Sequence, residues 1–317
     1  MKCKVGVVLG ENLKYAFPEP HPLNYRRYEY FINLLHESNF YKEGRIIKLD
    51  PRKASDEEIL LFHTPEYLEF VKRISEIGYG YLDYGDTPAF KGVYEVSALS
   101  VGATLRALEA IINGEVDHAF NPSGGLHHAY KYKAAGFCVF NDPAIAIEYS
   151  RKKYGFKKFL YVDIDAHHGD GVYYSYEDDP NVYIIDLHED GRFLYPGTGF
   201  ENERGKGEAY GTKLNIPLKP FSDSSVALQY LPKIKEFIEN IDFDLIILQC
   251  GADGLEGDPL THLRYSPKVH EEITKLLHKF AHEKCKGRIL ATGGGGYNFN
   301  NVAKAWVTVV ETLAKEY

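Results

Sequence analysis

Phe159-Leu160-Tyr161-Val162-Asp163-Ile164-Asp165-Ala166-His167-His168-Gly169-Asp170-Gly171 passes from an apolar, β-favouring run into carboxylates, imidazoles and glycine. Residues 159–164 read as a buried strand, because a short apolar run ended by turn residues suits a strand covered on both faces. The polar tail then lies beyond the strand's carboxyl end. Working outward, the same pattern recurs. His118–Asn121 is followed by Gly124-Gly125-Leu126-His127-His128, and Leu245–Gln249 by Gly251-Ala252-Asp253-Gly254. Residues 288–291 lead into Thr292-Gly293-Gly294-Gly295-Gly296-Tyr297-Asn298. Residues 4–9 and 182–187 are two further strand candidates.

Helical patterns fill the intervals: one opens at Thr64-Pro65, where Thr64 caps and Pro65 takes the first helical position, and others cover 92–113, 143–153, 225–240, 266–282 and 302–315. Strands alternating with helices predict an α/β fold, a single open, mainly parallel sheet with helices on both faces. No repeat, low-complexity tract or linker composition divides the chain, so residues 1–317 are expected to form a single domain. In such sheets ligands bind beyond the carboxyl ends of the strands, where the four polar loops lie.

Composition narrows the function. The 317 residues carry 37 basic and 45 acidic side chains, a net charge of −8, and no basic run marks a nucleic-acid surface. The N-terminal apolar stretch is too short for a signal-peptide core, and no run reaches a membrane span. Cys3, Cys138, Cys250 and Cys285 form no C-x-x-C pair, which favours a reducing cytoplasm over a disulfide framework.

Asp165 and His167, two apart at a strand end, point the same way. Asp253 from another strand end completes two carboxylates and one imidazole, a set that suits a catalytic zinc with open positions. Asp165 also fits a helix cap, and His167 a hydrogen-bonded loop histidine. His127 and His128 suit an acid-base pair tuned by Asp163 and Asp170, or a buried structural pair. Tyr297 is placed either to donate to a developing oxyanion or to begin a helix.

The segments 124–128, 136–142, 161–171, 195–199, 251–260 and 293–298, in this order, closely resemble the zinc-dependent histone deacetylase family, including prokaryotic acetoin utilisation proteins and acetylpolyamine amidohydrolases. The resemblance implies the arginase/deacetylase-like fold, one Zn²⁺ on Asp165, His167 and Asp253, and catalysis by His127, His128, Asp163, Asp170 and Tyr297 with a metal-activated water. It implies a substrate tunnel at Gly136, Phe137, Tyr195, Leu260 and Gly295. Phe is frequent where Tyr195 stands. Arg27 would line an acetate channel, with Arg26 as a competitor, and K⁺ would bind near Asp163, Asp165, His167, Asp186 and Leu187, although Ser is frequent at position 186.

The implied reaction is removal of acetyl groups from lysine ε-amines of proteins or peptides. Acetylated polyamines, other small amides or esters remain the alternative, as does Fe²⁺ in place of zinc. Leu260, taken as a buried wall position after Gly257-Asp258-Pro259, favours acyl-lysine, whereas a Glu there would attract a polyamine. Glu256 and Asp86 are expected near the rim. Related ureohydrolases hold two manganese ions with acids where this chain has Gly169 and Gly251, which favours a mononuclear centre. A metal-free acetyl-lysine binder would not need these filled ligand positions.

Overall fold

The computed structural model describes residues 2–316. Its eight strands are β1 (Val5–Val8), β2 (Ile46–Leu49), β3 (His118–Asn121), β4 (Phe159–Asp163), β5 (Val182–Glu189), β6 (Lys213–Leu218), β7 (Leu245–Gln249) and β8 (Ile289–Thr292). They form one all-parallel sheet in the order β2-β1-β3-β8-β7-β4-β5-β6. The fold is the open α/β sheet expected from the alternation.

Successive side chains of a strand face opposite sides, and the core divides accordingly. Phe159 and Tyr161 of β4 pack on one side with Leu245, Ile247 and Leu290, while Leu160 and Val162 join Ile246, Leu248 and Ile289 on the other. Helices Val93–Ile112 and Asp142–Tyr154 cover the first side; Arg26–Glu37, Lys268–Lys284 and Phe299–Leu313 cover the second. Strands covered on both faces need apolar residues at every position, so the centre of the sheet reads as unbroken hydrophobic runs.

The decisive feature for function is strand order. β3, β8, β7 and β4 are consecutive in the sheet, so the four polar loops that follow them emerge side by side from its centre. The expected helix over 225–240 is instead two, Ser224–Leu228 and Leu231–Glu239, with Pro232 in the first turn of the second. Proline is tolerated there because its missing N–H has no intrahelical acceptor to serve. No helix among the described residues is long and apolar enough to cross a membrane.

Candidate active site

Asp165 and His167 follow β4, and Asp253 follows the neighbouring β7. One ligand atom from each lies within 4.8 Å of the other two. His167 Nδ1 is 3.1 Å from Asp165 Oδ1 and 2.9 Å from Asp253 Oδ2. The other carboxylate oxygens are already engaged: Asp165 Oδ2 accepts from the Gly295 N–H (2.7 Å) and Gln249 Nε2 (2.9 Å), and Asp253 Oδ1 from the Ala166 N–H (2.8 Å). Burial, followed by the charge of Asp165, pushes Asp253 up to about 7. Two buried carboxylates turned toward one imidazole nitrogen are costly without a cation, and this donor set fits a divalent metal of the zinc type.

Close packing leaves no space for an acidic side chain at Gly169 or Gly251. A Cβ on Gly251 would lie 2.0 Å from Asp165 Oδ2, and one on Gly169 would lie 2.6 Å from Asp163 Oδ2. The two positions where a dinuclear centre would need acids are thus filled by the carboxylates already present.

His127 and His128 lie on the loop after β3 with ring centroids 4.1 Å apart. His127 Nδ1 donates to Asp163 Oδ2 at 2.7 Å, and His128 Nδ1 to Asp170 Oδ1 at 2.6 Å. Burial opposes a charge on His127, but Asp163 and Asp165 outweigh it and raise its pKa to about 10. His128 moves the other way, lowered by burial and then by the charge on His127. The two rings are thus pushed in opposite directions. Because Nδ1 of His128 carries the proton given to Asp170, its Nε2 keeps a lone pair.

Both histidines line one small cavity with Asp165, His167, Gly136, Phe137, Gly295 and Tyr297. Gly136 sits against His128 and Tyr195, and a Cβ there would meet their rings at 2.6 and 2.9 Å. Phe137 has a left-handed φ of 69°, costly for a bulky side chain. Its N–H donates to Thr87 Oγ1 (3.1 Å) and its carbonyl accepts from Tyr15 OH (2.7 Å), which fixes the strained residue. The Tyr195 ring stands edge-on to His128 at 5.2 Å, and the Tyr297 ring edge-on to Phe137 at 5.9 Å. Burial, then the charges of Asp253 and Asp165, keep the Tyr297 phenol protonated.

Leu260 differs from its reading as a buried wall: it is 38% exposed and lies outside the cavity lining. Its N–H donates to Asp258 Oδ1 at 2.9 Å. Asp86 is at the rim, in a groove with Tyr81, Asp83, Tyr84, Lys133 and Tyr195. Of the two arginine candidates Arg27 is buried and Arg26 exposed. Arg27 donates to the carbonyls of Gly294 (2.7 Å) and Gly296 (3.3 Å), beneath the glycine run. Asp186 pairs in register with Asp163 across β4 and β5, with Leu187 next to it. Asp186 accepts from the Gly169 N–H (2.9 Å) and holds His188 Nδ1 at 2.6 Å.

Several supporting residues escaped the sequence reading. Gln249 bridges Asp165, the Gly125 carbonyl (3.1 Å) and the Gly251 N–H (2.7 Å). Tyr161 donates to Asp163 Oδ2 at 2.6 Å and Tyr130 to Asp170 Oδ2 at 2.8 Å. Asp142 accepts from the Gly125 and Leu126 N–H groups (3.0 and 2.9 Å), fixing the loop before the histidines. A buried amide closing the apolar run of β7 was the available signal for Gln249.

Comparison with known proteins places this geometry. A histone deacetylase domain matches residues 21–313. The chain belongs to the histone deacetylase family. Acetoin utilization protein AcuC of Bacillus subtilis (strain 168) is 42% identical over 304 residues, covering 93% of this chain and 78% of the relative. AcuC of Staphylococcus xylosus is 34% identical over 320 residues, covering 98% and 82%. Among solved structures, the HD domain of HDA15 superposes with a TM-score of 0.87 at 28% identity over 98% of this chain and 88% of that one. An HDAC homolog from Aquifex aeolicus gives 0.83 at 33% identity, covering 98% and 84%. The protein is thus a deacetylase, a hydrolase acting on acetylated substrates, from a family that is in general zinc-dependent.

Proposed function

We propose that residues 1–317 form a single catalytic domain that removes acetyl groups from the ε-amine of lysine in proteins or peptides, with Zn²⁺ on Asp165, His167 and Asp253. The observation that carries this reading is the convergence of those three ligands, two carboxylate-paired histidines and Tyr297 on one narrow cavity. When bound, zinc supplies Lewis acidity toward a water and an acyl oxygen. Neutral His128 takes a proton at Nε2 and returns it to the departing amine, and Asp170 at Nδ1 keeps this tautomer. His127, held by Asp163 at Nδ1, lies in the same cavity and serves as a hydrogen-bond partner of the reacting group. Protonated Tyr297 donates a hydrogen bond to the acyl oxygen.

Phe137 and Tyr195 grip the aliphatic chain, with Gly136 and Gly295 giving clearance beside them. At the mouth, Asp83, Asp86 and exposed tyrosines favour a cationic substrate, with Lys133 as the one opposing charge in that groove. Arg27 makes no ion pair among the described residues and leaves its Nε unpartnered, so an acetate leaving inward would meet a buried cation. K⁺ is assigned to Asp163, Asp165, His167, Asp186 and Leu187. The buried cysteines, none in a disulfide, support a cytoplasmic setting.

The test is acetate release from an acetyl-lysine peptide and from an acetylated polyamine, with and without a hydroxamate chelator, alongside zinc analysis. The expected result is hydroxamate-sensitive release, faster from the peptide. His128→Ala should keep the metal at the Asp165 site and lose about 10²-fold or more in turnover, whereas Asp253→Ala should lose that metal. Preference for the polyamine would transfer the assignment to small amides, and normal turnover in His128→Ala would remove its role.

A further inference from the structure

A second set of metal-ligating side chains meets at the opposite edge of the sheet, where the strands begin. Cys3 precedes β1, His118 opens β3, and His278 and His282 are one turn apart on helix Lys268–Lys284. One ligand atom from each of the four lies within 4.8 Å of all the others. Cys3, His118 and His278 are buried and His282 is half-buried. None touches the catalytic cavity.

The separations among Cys3, His278 and His282 fit three corners of a coordination polyhedron. Cys3 Sγ is 3.6 Å from His278 Nε2 and 3.5 Å from His282 Nε2, and the two Nε2 atoms are 3.1 Å apart. A tetrahedral zinc with Zn–S near 2.3 Å and Zn–N near 2.0–2.1 Å requires S···N of about 3.6 Å and N···N of about 3.4 Å. Both S···N separations therefore fit, and the imidazoles need to part by only a few tenths of an ångström. His118 completes the group, its ring edge-on to His278 and His282 at 4.7 and 5.3 Å.

His118 is an independent indication. It is fully buried, and among the described residues its ring nitrogens make no hydrogen bond of ordinary geometry, with only a weak approach of the Gly287 backbone, a state that costs free energy unless a ligand supplies the missing contact.

We propose that Cys3, His118, His278 and His282 form a second, structural zinc site that ties the starts of β1 and β3 to helix Lys268–Lys284. Four protein ligands of this type close the coordination shell, as in structural rather than catalytic sites. Loading transfers no electrons: Zn²⁺ enters, the Cys3 S–H bond breaks, and one proton leaves to solvent. The clamp joins positions 275 residues apart in the chain.

Cobalt reconstitution isolates this site, because Asp165, His167 and Asp253 contain no sulfur. Full-length protein stripped of metal and loaded with Co²⁺ should show a thiolate-to-cobalt charge-transfer band in the near ultraviolet. The band should persist in Asp253→Ala and vanish in Cys3→Ser. Zinc analysis should give two ions per chain in the parent protein and one in Cys3→Ser, with the acetate-releasing activity retained as evidence of folding. His282→Gln, at the half-buried ligand, serves if Cys3→Ser does not fold, and should likewise lose one zinc. A folded parent protein with one zinc per chain and no thiolate band would overturn the proposal, as would a Cys3→Ser protein that keeps both signals.

Discussion

Acid should unfold this protein through a histidine outside the reaction. His63 is 2% exposed, accepts the Asn141 N–H at Nε2 (2.9 Å) and faces the Lys131 carbonyl with Nδ1 (3.3 Å). Asn141 in turn caps helix Asp142–Tyr154 through the Ala144 N–H (3.0 Å) and holds the Ala129 carbonyl (2.8 Å), next to the catalytic pair. A proton on His63 Nε2 would set donor against donor, and burial holds its pKa down at about 3. The unfolded imidazole titrates near 6.5, so the stabilisation is complete above that pH and is lost progressively as pH falls toward 3. At pH 5 the unfolded chain gains about 2 kcal/mol from this one protonation, by RT ln(1 + 10^1.5). His63→Gln retains an acceptor and a donor but does not titrate. Urea unfolding followed by circular dichroism at pH 7 and pH 5 should show the parent losing about 2 kcal/mol more than the variant over this interval. His270, also held neutral by burial at about 4, cancels between the two proteins. Parallel losses would refute the reasoning, because His63 would then titrate alike in both states.

Three substitutions examine the active site. Tyr161→Phe removes one of two donors to Asp163 Oδ2 and should cost about 1–3 kcal/mol in urea unfolding, with reduced kcat and unchanged zinc content. Gly251→Ala forces a methyl group against Asp165 Oδ2 and should abolish metal binding there, measured by zinc analysis on folded protein. Leu260→Glu, at an exposed position, should change stability by no more than about 0.5 kcal/mol while lowering KM for an acetylated polyamine relative to an acetyl-lysine peptide. An unchanged KM ratio would take Leu260 out of substrate contact.

The centre of the sheet was legible because burial on both faces allows little but apolar residues. β3, β4, β7 and β8 therefore stand out, each ending in a polar loop. The edge strands β2 and β6 did not: Ile-Ile-Lys-Leu and Lys-Leu-Asn-Ile-Pro-Leu are only partly buried, and the edge position of β6 tolerates Pro217 because its missing N–H breaks no central ladder. Within the site, residues carried by a motif were recognisable by type and spacing. Gln249, Tyr130 and the brace on Phe137 were not, since each acts through a partner distant in sequence. Leu260 shows the converse limit: its neighbours in the sequence locate a loop, but not whether its side chain is buried, and it is exposed.

The two ends of the sheet divide metal chemistry by ligand type. At the carboxyl edge, two carboxylates and one imidazole leave coordination positions open, as hydrolysis demands. At the amino edge, one thiol and three imidazoles close them. A count of two metals per chain would therefore not signal a dinuclear hydrolase, because Gly169 and Gly251 have no room for the additional acids such a centre needs. The sites respond to different substitutions: Asp253→Ala should remove one ion together with acetate release, and Cys3→Ser the other ion without it. A dinuclear centre would couple both losses to Asp253, so the pair of variants separates one shared site from two independent ones.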